Sequence, residues 1–164
     1  MVPVQVPALL ARLKRHLYPD GRPSALARAA NAVIARQHAL GILTPRSSVT
    51  LVVTGRRSGR PVALPLVVAS VDGAQFVVSM LGEQAGWVRN VRAAGGRAVL
   101  LQHRRRVPVH LVEVPPGQRA PVLRTYLAVA PGARPHIPVD RHAPLAELER
   151  VAADHPVFQV HRAG

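Results

Sequence analysis

Two apolar segments, Val49 to Val53 and Val62 to Val68, are rich in β-branched residues, and only Gly55-Arg56-Arg57-Ser58-Gly59-Arg60, closing on Pro61, lies between them. Branching at Cβ disfavours a helix and suits a pleated, half-buried strand, so the stretch reads as strand, tight polar turn, strand. This hairpin constrains the rest of the chain, because its apolar faces have to be covered by further strands or helices. Two glycines let the turn bend sharply and expose main-chain N–H groups. Three arginines and one hydroxyl add positive charge and donors, a set suited to a phosphate or carboxylate. The spacing is neither that of a Walker A loop nor that of a dinucleotide-binding GxGxxG.

At 164 residues the chain has the length of one domain, and 48% hydrophobic against 18% charged residues argues for a packed core. A formal charge of +14 favours polyanionic partners in general. Nearly all of it is arginine, with Lys14 the only lysine, a bias that a GC-rich genome produces without functional selection. Aromatic residues are only 3%, which weighs against nucleic acid, whose bases need stacking partners. The absence of cysteine excludes disulfides, a thiol nucleophile and Cys-bound metal centres. At the N-terminus Arg12, Lys14 and Arg15 follow the apolar stretch instead of preceding it, unlike a signal peptide, so the expected location is the cytoplasm.

Along the chain, Ala8 to Leu17 has the pattern of a short basic amphipathic helix, expected to pack on its own barrel or to touch a membrane surface. Ser24 to about Leu40 reads as a second helix closed by Gly41. After the first hairpin, Asp72-Gly73 is a strong turn signal leading into a strand from Gln75 to Met80. Trp87 to Ala94 has the spacing of a short helix ended by Gly95-Gly96. Arg97 to His103 and Val107 to Val114 read as strands joined by a basic turn, Arg104-Arg105-Arg106. Further on come a helix carrying Val122, Leu123, Tyr126 and Leu127, the loop Pro131 to Pro138, a helix from Pro144 to Ala153, and a last strand from Val157 to Val160. The expected fold is α+β: a single small antiparallel barrel with flanking helices.

On the helix from Trp87, a 100° step places Trp87, Asn90, Val91 and Ala94 on one face, with Arg89 and Arg92 pointing away toward solvent. Thr54-Gly55-Arg56-Arg57-Ser58-Gly59-Arg60-Pro61, then Pro65-Leu66, Ser79, Trp87 and Asn90-Val91-x-Ala93, together resemble the deazaflavin-dependent nitroreductase family. The resemblance runs from about Val49 to Leu111. It implies a split β-barrel that binds coenzyme F420, with Arg56, Arg57, Ser58 and Gly59, and Arg60 beside them, holding the cofactor's anionic tail. Pro65 and Leu66 would follow its ring, and Ser79, Trp87 and Asn90 would line the site. Many members carry an arginine where this chain has Val62 and a lysine where it has Met80.

The residues offer little chemistry of their own. The eight histidines form no tight ligand set, no G-x-S-x-G elbow is present, and the few acidic residues show no catalytic pairing. Tyr126 is the one candidate proton donor, with an ordinary core tyrosine as its simpler role. Such a chain suits an enzyme whose cofactor carries the reaction. The reading is an F420-dependent oxidoreductase passing hydride to a small electrophilic acceptor such as a quinone, an activated alkene or a nitro compound, with a homodimer as the expected assembly. FMN or haem in the same barrel, or a non-catalytic cofactor or lipid binder, is the alternative.

Overall fold

The computed structural model describes residues 47–163, so the helices expected over residues 8–17 and 24–40 lie outside the described residues. Six strands form a closed antiparallel barrel in the order β1-β2-β3-β6-β5-β4, with β4 returning to β1. They are β1 (Ser48–Thr54), β2 (Pro61–Val71), β3 (Ala74–Val78), β4 (Arg97–Gln102), β5 (Arg105–Glu113) and β6 (Val157–Arg162). Three helices join them: α1 (Gly86–Ala93) between β3 and β4, then α2 (Ala120–Val129) and α3 (Leu145–Ala152) between β5 and β6. The α+β barrel expected from the sequence is the fold observed.

Strand alternation decides which side chains fill the barrel. Val49, Leu51 and Val53 of β1 point inward with Leu64, Leu66 and Val68 of β2, Val77 of β3, Leu100 of β4, Val109 and Leu111 of β5, and Phe158 of β6. Helix α1 adds Val88 and Val91 to this set, closing the interior with a helix face. A second apolar cluster lies on the outside of the barrel. Here Ala69, Val78 and Val157 meet Val122, Leu123, Tyr126 and Leu127 of α2 and Leu148 and Ala152 of α3. Ala133 and Ile137 belong to the same cluster, so the loop Pro131 to Pro138 packs against the core.

Two hairpins turn through two residues. At Asp72-Gly73 both φ values are positive, 49° and 79°, as a turn matched to strand twist requires. The second corrects the sequence expectation. Arg105 and Arg106 are strand residues, paired with Gln102 and Leu101, and the turn is His103-Arg104, with φ of 47° and 65°. Two non-glycine residues in the left-handed region carry no Gly, Asn or Asp signal, so the expected turn starts one residue late and takes in two residues that belong to β5.

Candidate functional site

The β1–β2 turn closes on itself before anything binds it. Gly55 N–H donates to the Arg60 carbonyl and Gly59 N–H to the Gly55 carbonyl, each at 2.8 Å. Ser58 Oγ accepts the Arg60 N–H at 3.3 Å. Gly59 has φ of 66°, a left-handed position in which glycine avoids the Cβ penalty. Gly55 is needed for a different reason: a Cβ there would sit 2.8 Å from Ser58 Oγ and 3.2 Å from the Arg60 carbonyl oxygen.

One arginine of the turn is tied to α1. Asn90 Oδ1 accepts the Arg56 main-chain N–H at 3.2 Å and an Arg56 guanidinium N–H at 3.0 Å, and the same guanidinium reaches the Gly86 carbonyl at 3.5 Å. Asn90 is buried, as helix position and barrel packing together dictate. The first turn of α1 therefore lies beside the basic turn, and no side-chain oxygen caps that helix. Its N-terminal N–H groups and dipole add to the positive field. Arg57 and Arg60 are exposed and have no carboxylate partner among the described residues. An added Cβ at Gly59 or Gly86 would meet nothing within 4 Å, so the space there is open.

The other expected residues are distributed more widely. Trp87 is half-buried and packs on Phe158, with ring centroids 5.6 Å apart and the planes tilted by 56°. Leu66 faces the barrel interior, and Pro65 stands opposite Thr50 on β1. Ser79 is buried with its hydroxyl donating to the Gly82 carbonyl at 2.8 Å, while its own carbonyl meets His155 Nδ1 at 2.9 Å. Its side chain thus holds the loop before α1. Tyr126 is not brought to the turn: it is buried in the cluster under α2, where burial pushes its phenol well above the ordinary range.

Arg92 departs from the solvated role expected of it. It donates to Glu83 at 2.6 and 3.2 Å and to Glu113 at 2.6 and 2.8 Å, using all three guanidinium nitrogens. Hydrogen bonds to these two carboxylates push its already high pKa further up. Hydrogen bonding to Arg92 is in turn the main reason that the Glu83 carboxyl is held below its usual range. Glu113 also accepts from the buried Arg119 at 3.1 Å. Sequence periodicity could not find this group, because Glu83, Arg92, Glu113 and Arg119 come from separate segments of the chain. Arg89 bonds to Gln84.

Among the described residues no group of three or more His, Asp or Glu is placed to hold a metal ion. No helix among them is long and apolar enough to cross a membrane.

A closed antiparallel barrel with a helix closing its interior and a clamped arginine turn beside that helix is a split-barrel-like fold. The family model for F420H2-dependent quinone reductases matches residues 26–145, and the chain belongs to that family. No curated protein matches it. Among solved structures, one described as a domain-swapped dimer is 19% identical, with 83% of this chain and 96% of that chain covered and a TM-score of 0.50. A protein of unknown function from Agrobacterium tumefaciens is 13% identical, with 89% and 58% covered and a TM-score of 0.51. An F420-H2 dependent reductase is 24% identical, with 73% and 97% covered and a TM-score of 0.45. At these identities the first two likenesses speak to the fold.

Family membership makes the chain an oxidoreductase that uses F420. The donor set fits the phosphate and carboxylates of that cofactor's tail: two guanidinium groups without carboxylate partners among the described residues, and an uncapped helix start in open space.

Proposed function

We propose that the protein reduces a quinone with F420H2, holding the cofactor's tail between the Arg56 to Arg60 turn and the start of α1. The observation that carries this reading is the division of labour within the turn. The Arg56 guanidinium is bound to Asn90 and Gly86, while the guanidinium groups of Arg57 and Arg60 extend from the same braced backbone without carboxylate partners among the described residues. A braced turn loses little freedom when an anion binds, so its charge is used for recognition.

When bound, the reduced deazaflavin supplies a hydride. Arg57, Arg60 and the Ser58 hydroxyl would hold its tail, while the Gly59 N–H is already taken by the Gly55 carbonyl and serves the turn itself; the β2 main chain at Pro65 and Leu66, with Trp87, would border its ring. The protein contributes orientation and exclusion of water. A quinone is the favoured acceptor because the matching family model is that of quinone reductases. A homodimer belongs to the same proposal, supported by a structural neighbour described as a domain-swapped dimer.

The test is a fluorescence titration with F420 and, separately, FMN at moderate and high salt, using wild type, Arg57→Ala, Arg60→Ala and Tyr126→Phe. Saturable F420 binding that exceeds FMN binding, weakens about ten-fold in either arginine variant and is unchanged in Tyr126→Phe is the expected result. Absence of saturable F420 binding by the wild type overturns the proposal. Quinone reduction in the same samples then decides the acceptor.

A further inference from the structure

Helix α1 is only eight residues long, and it carries Asn90, the residue that holds Arg56. A helix this short has little stability of its own, so its placement depends on its attachments. Val88 and Val91 anchor it by burial in the barrel. Apolar contacts are non-directional and leave some freedom for the helix to roll and slide.

On the side of α1 away from the basic turn, Arg92 is the directional attachment that reaches the barrel, whereas Arg89 bonds only to the neighbouring Gln84. Arg92 lies two residues from Asn90, about 200° around the axis, and so on the opposite side of the helix from the basic turn. Its guanidinium bridges Glu83, which precedes the helix, and Glu113, at the end of β5. Glu113 is itself steadied by Arg119, whose side chain is only 4% exposed. Arg119 also donates to the carbonyls of Val114 at 2.8 Å and Ala153 at 3.1 Å. Polar contacts thus run from the buried Arg119 through Glu113 to Arg92 on one side of α1, and from Asn90 to Arg56 on the other, with the helix itself as the link between them.

We infer that Arg92 is a positioning residue for the anion-binding turn: its fork to Glu83 and Glu113 sets the roll of α1 and thereby places Asn90 against Arg56. This rests on the proposed binding of the F420 tail at that turn. An isolated surface ion pair contributes little, but here one planar guanidinium satisfies two carboxylates with four hydrogen bonds, and a network loses less entropy per bond. Lysine, with a single nitrogen, cannot span both carboxylates in the same geometry.

The experiment uses the full chain as wild type, Arg92→Gln, Arg92→Lys, Asn90→Ala and the Asn90→Ala/Arg92→Gln double variant. Two quantities are read: the F420 dissociation constant by fluorescence, and the hydrogen-exchange rate of the Arg56 main-chain amide in the cofactor-free protein. Arg92→Gln is expected to weaken F420 binding about ten-fold and to speed Arg56 exchange, with Arg92→Lys intermediate and the thermal unfolding cooperative throughout. Because Arg92 acts through Asn90, the double variant is expected to resemble Asn90→Ala instead of showing the product of the two effects.

Wild-type affinity in Arg92→Gln, or effects that multiply in the double variant, overturns the inference. If Arg92→Gln does not fold, Arg92→Lys alone decides by the same two readouts. If the wild type binds no F420, the functional reading fails, and the Arg56 exchange rates still decide whether Arg92 positions the turn.

Discussion

Arg56 and Asn90, 34 positions apart in the chain, meet twice at a single oxygen: Asn90 Oδ1 accepts both the main-chain N–H and the guanidinium of Arg56. The two halves of the sequence motif are therefore one structural unit. Asn90→Ala removes an acceptor from a partly buried charged donor, a change of about 1.5–3 kcal/mol for hydrogen bonds of this type. The expected result is a lower midpoint in urea and weaker F420 binding. Asn90→Asp, which keeps the acceptor and adds an opposite charge, retains most of the stability. Chemical denaturation of the three proteins at neutral pH checks this.

Glu83 makes the stability of α1 depend on pH in the acid range. Its carboxyl is held below the ordinary value of 4.5, chiefly by hydrogen bonding to Arg92, so the folded state binds the proton less readily than the unfolded state. Its contribution is fully present above the unfolded value and is lost as pH falls through the lower folded value. Glu83→Gln is therefore expected to be less stable than wild type at pH 6, with the difference disappearing as the pH is lowered well below 4.5. Both residues of the pair are partly exposed, so high salt reduces the difference as well. Thermal unfolding from pH 3 to 7 in low and high salt measures both effects.

The β4–β5 hairpin turns through two residues that ordinarily avoid positive φ, His103 at 47° and Arg104 at 65°. Replacing His103-Arg104 with Asn-Gly supplies residues suited to that turn, for an expected gain of about 1 kcal/mol. Their side chains make no ion pair among the described residues that the change would remove. A raised melting temperature with unchanged F420 affinity is the expected outcome, and an unchanged or lowered one refutes it.

Local chemistry made much of this molecule legible. The β-branched runs around Gly55 to Arg60 define β1 and β2, Asp72-Gly73 defines the next hairpin, and Gly95-Gly96 ends α1 before β4. At Gly96 a Cβ would lie 2.6 Å from the Leu111 carbonyl oxygen, so glycine there also serves a tertiary approach. Charge and hydroxyl content made the β1–β2 turn the candidate for binding an anion, and the motif pairing named Asn90, which the structure brings to that turn. The bond from Asn90 to Arg56 could not be read from either segment. It depends on how the barrel sets a helix beside a turn.

Among the described residues the sequence by itself determined most of the strands and helices, because branching, alternation and turn residues act over a few neighbouring positions. Only the tertiary structure decided that β6, after two intervening helices, enters between β3 and β5 to complete the barrel. It also assigned Tyr126 to the cluster beneath α2, gave Ser79 a hydroxyl bond within its own loop, and converted Arg92 from an apparent solvent-facing charge into a bridge between Glu83 and Glu113. The physical reason is the same in each case. Burial and hydrogen-bond satisfaction are decided by groups distant in sequence, and a side chain's local pattern does not specify which distant partner will reach it.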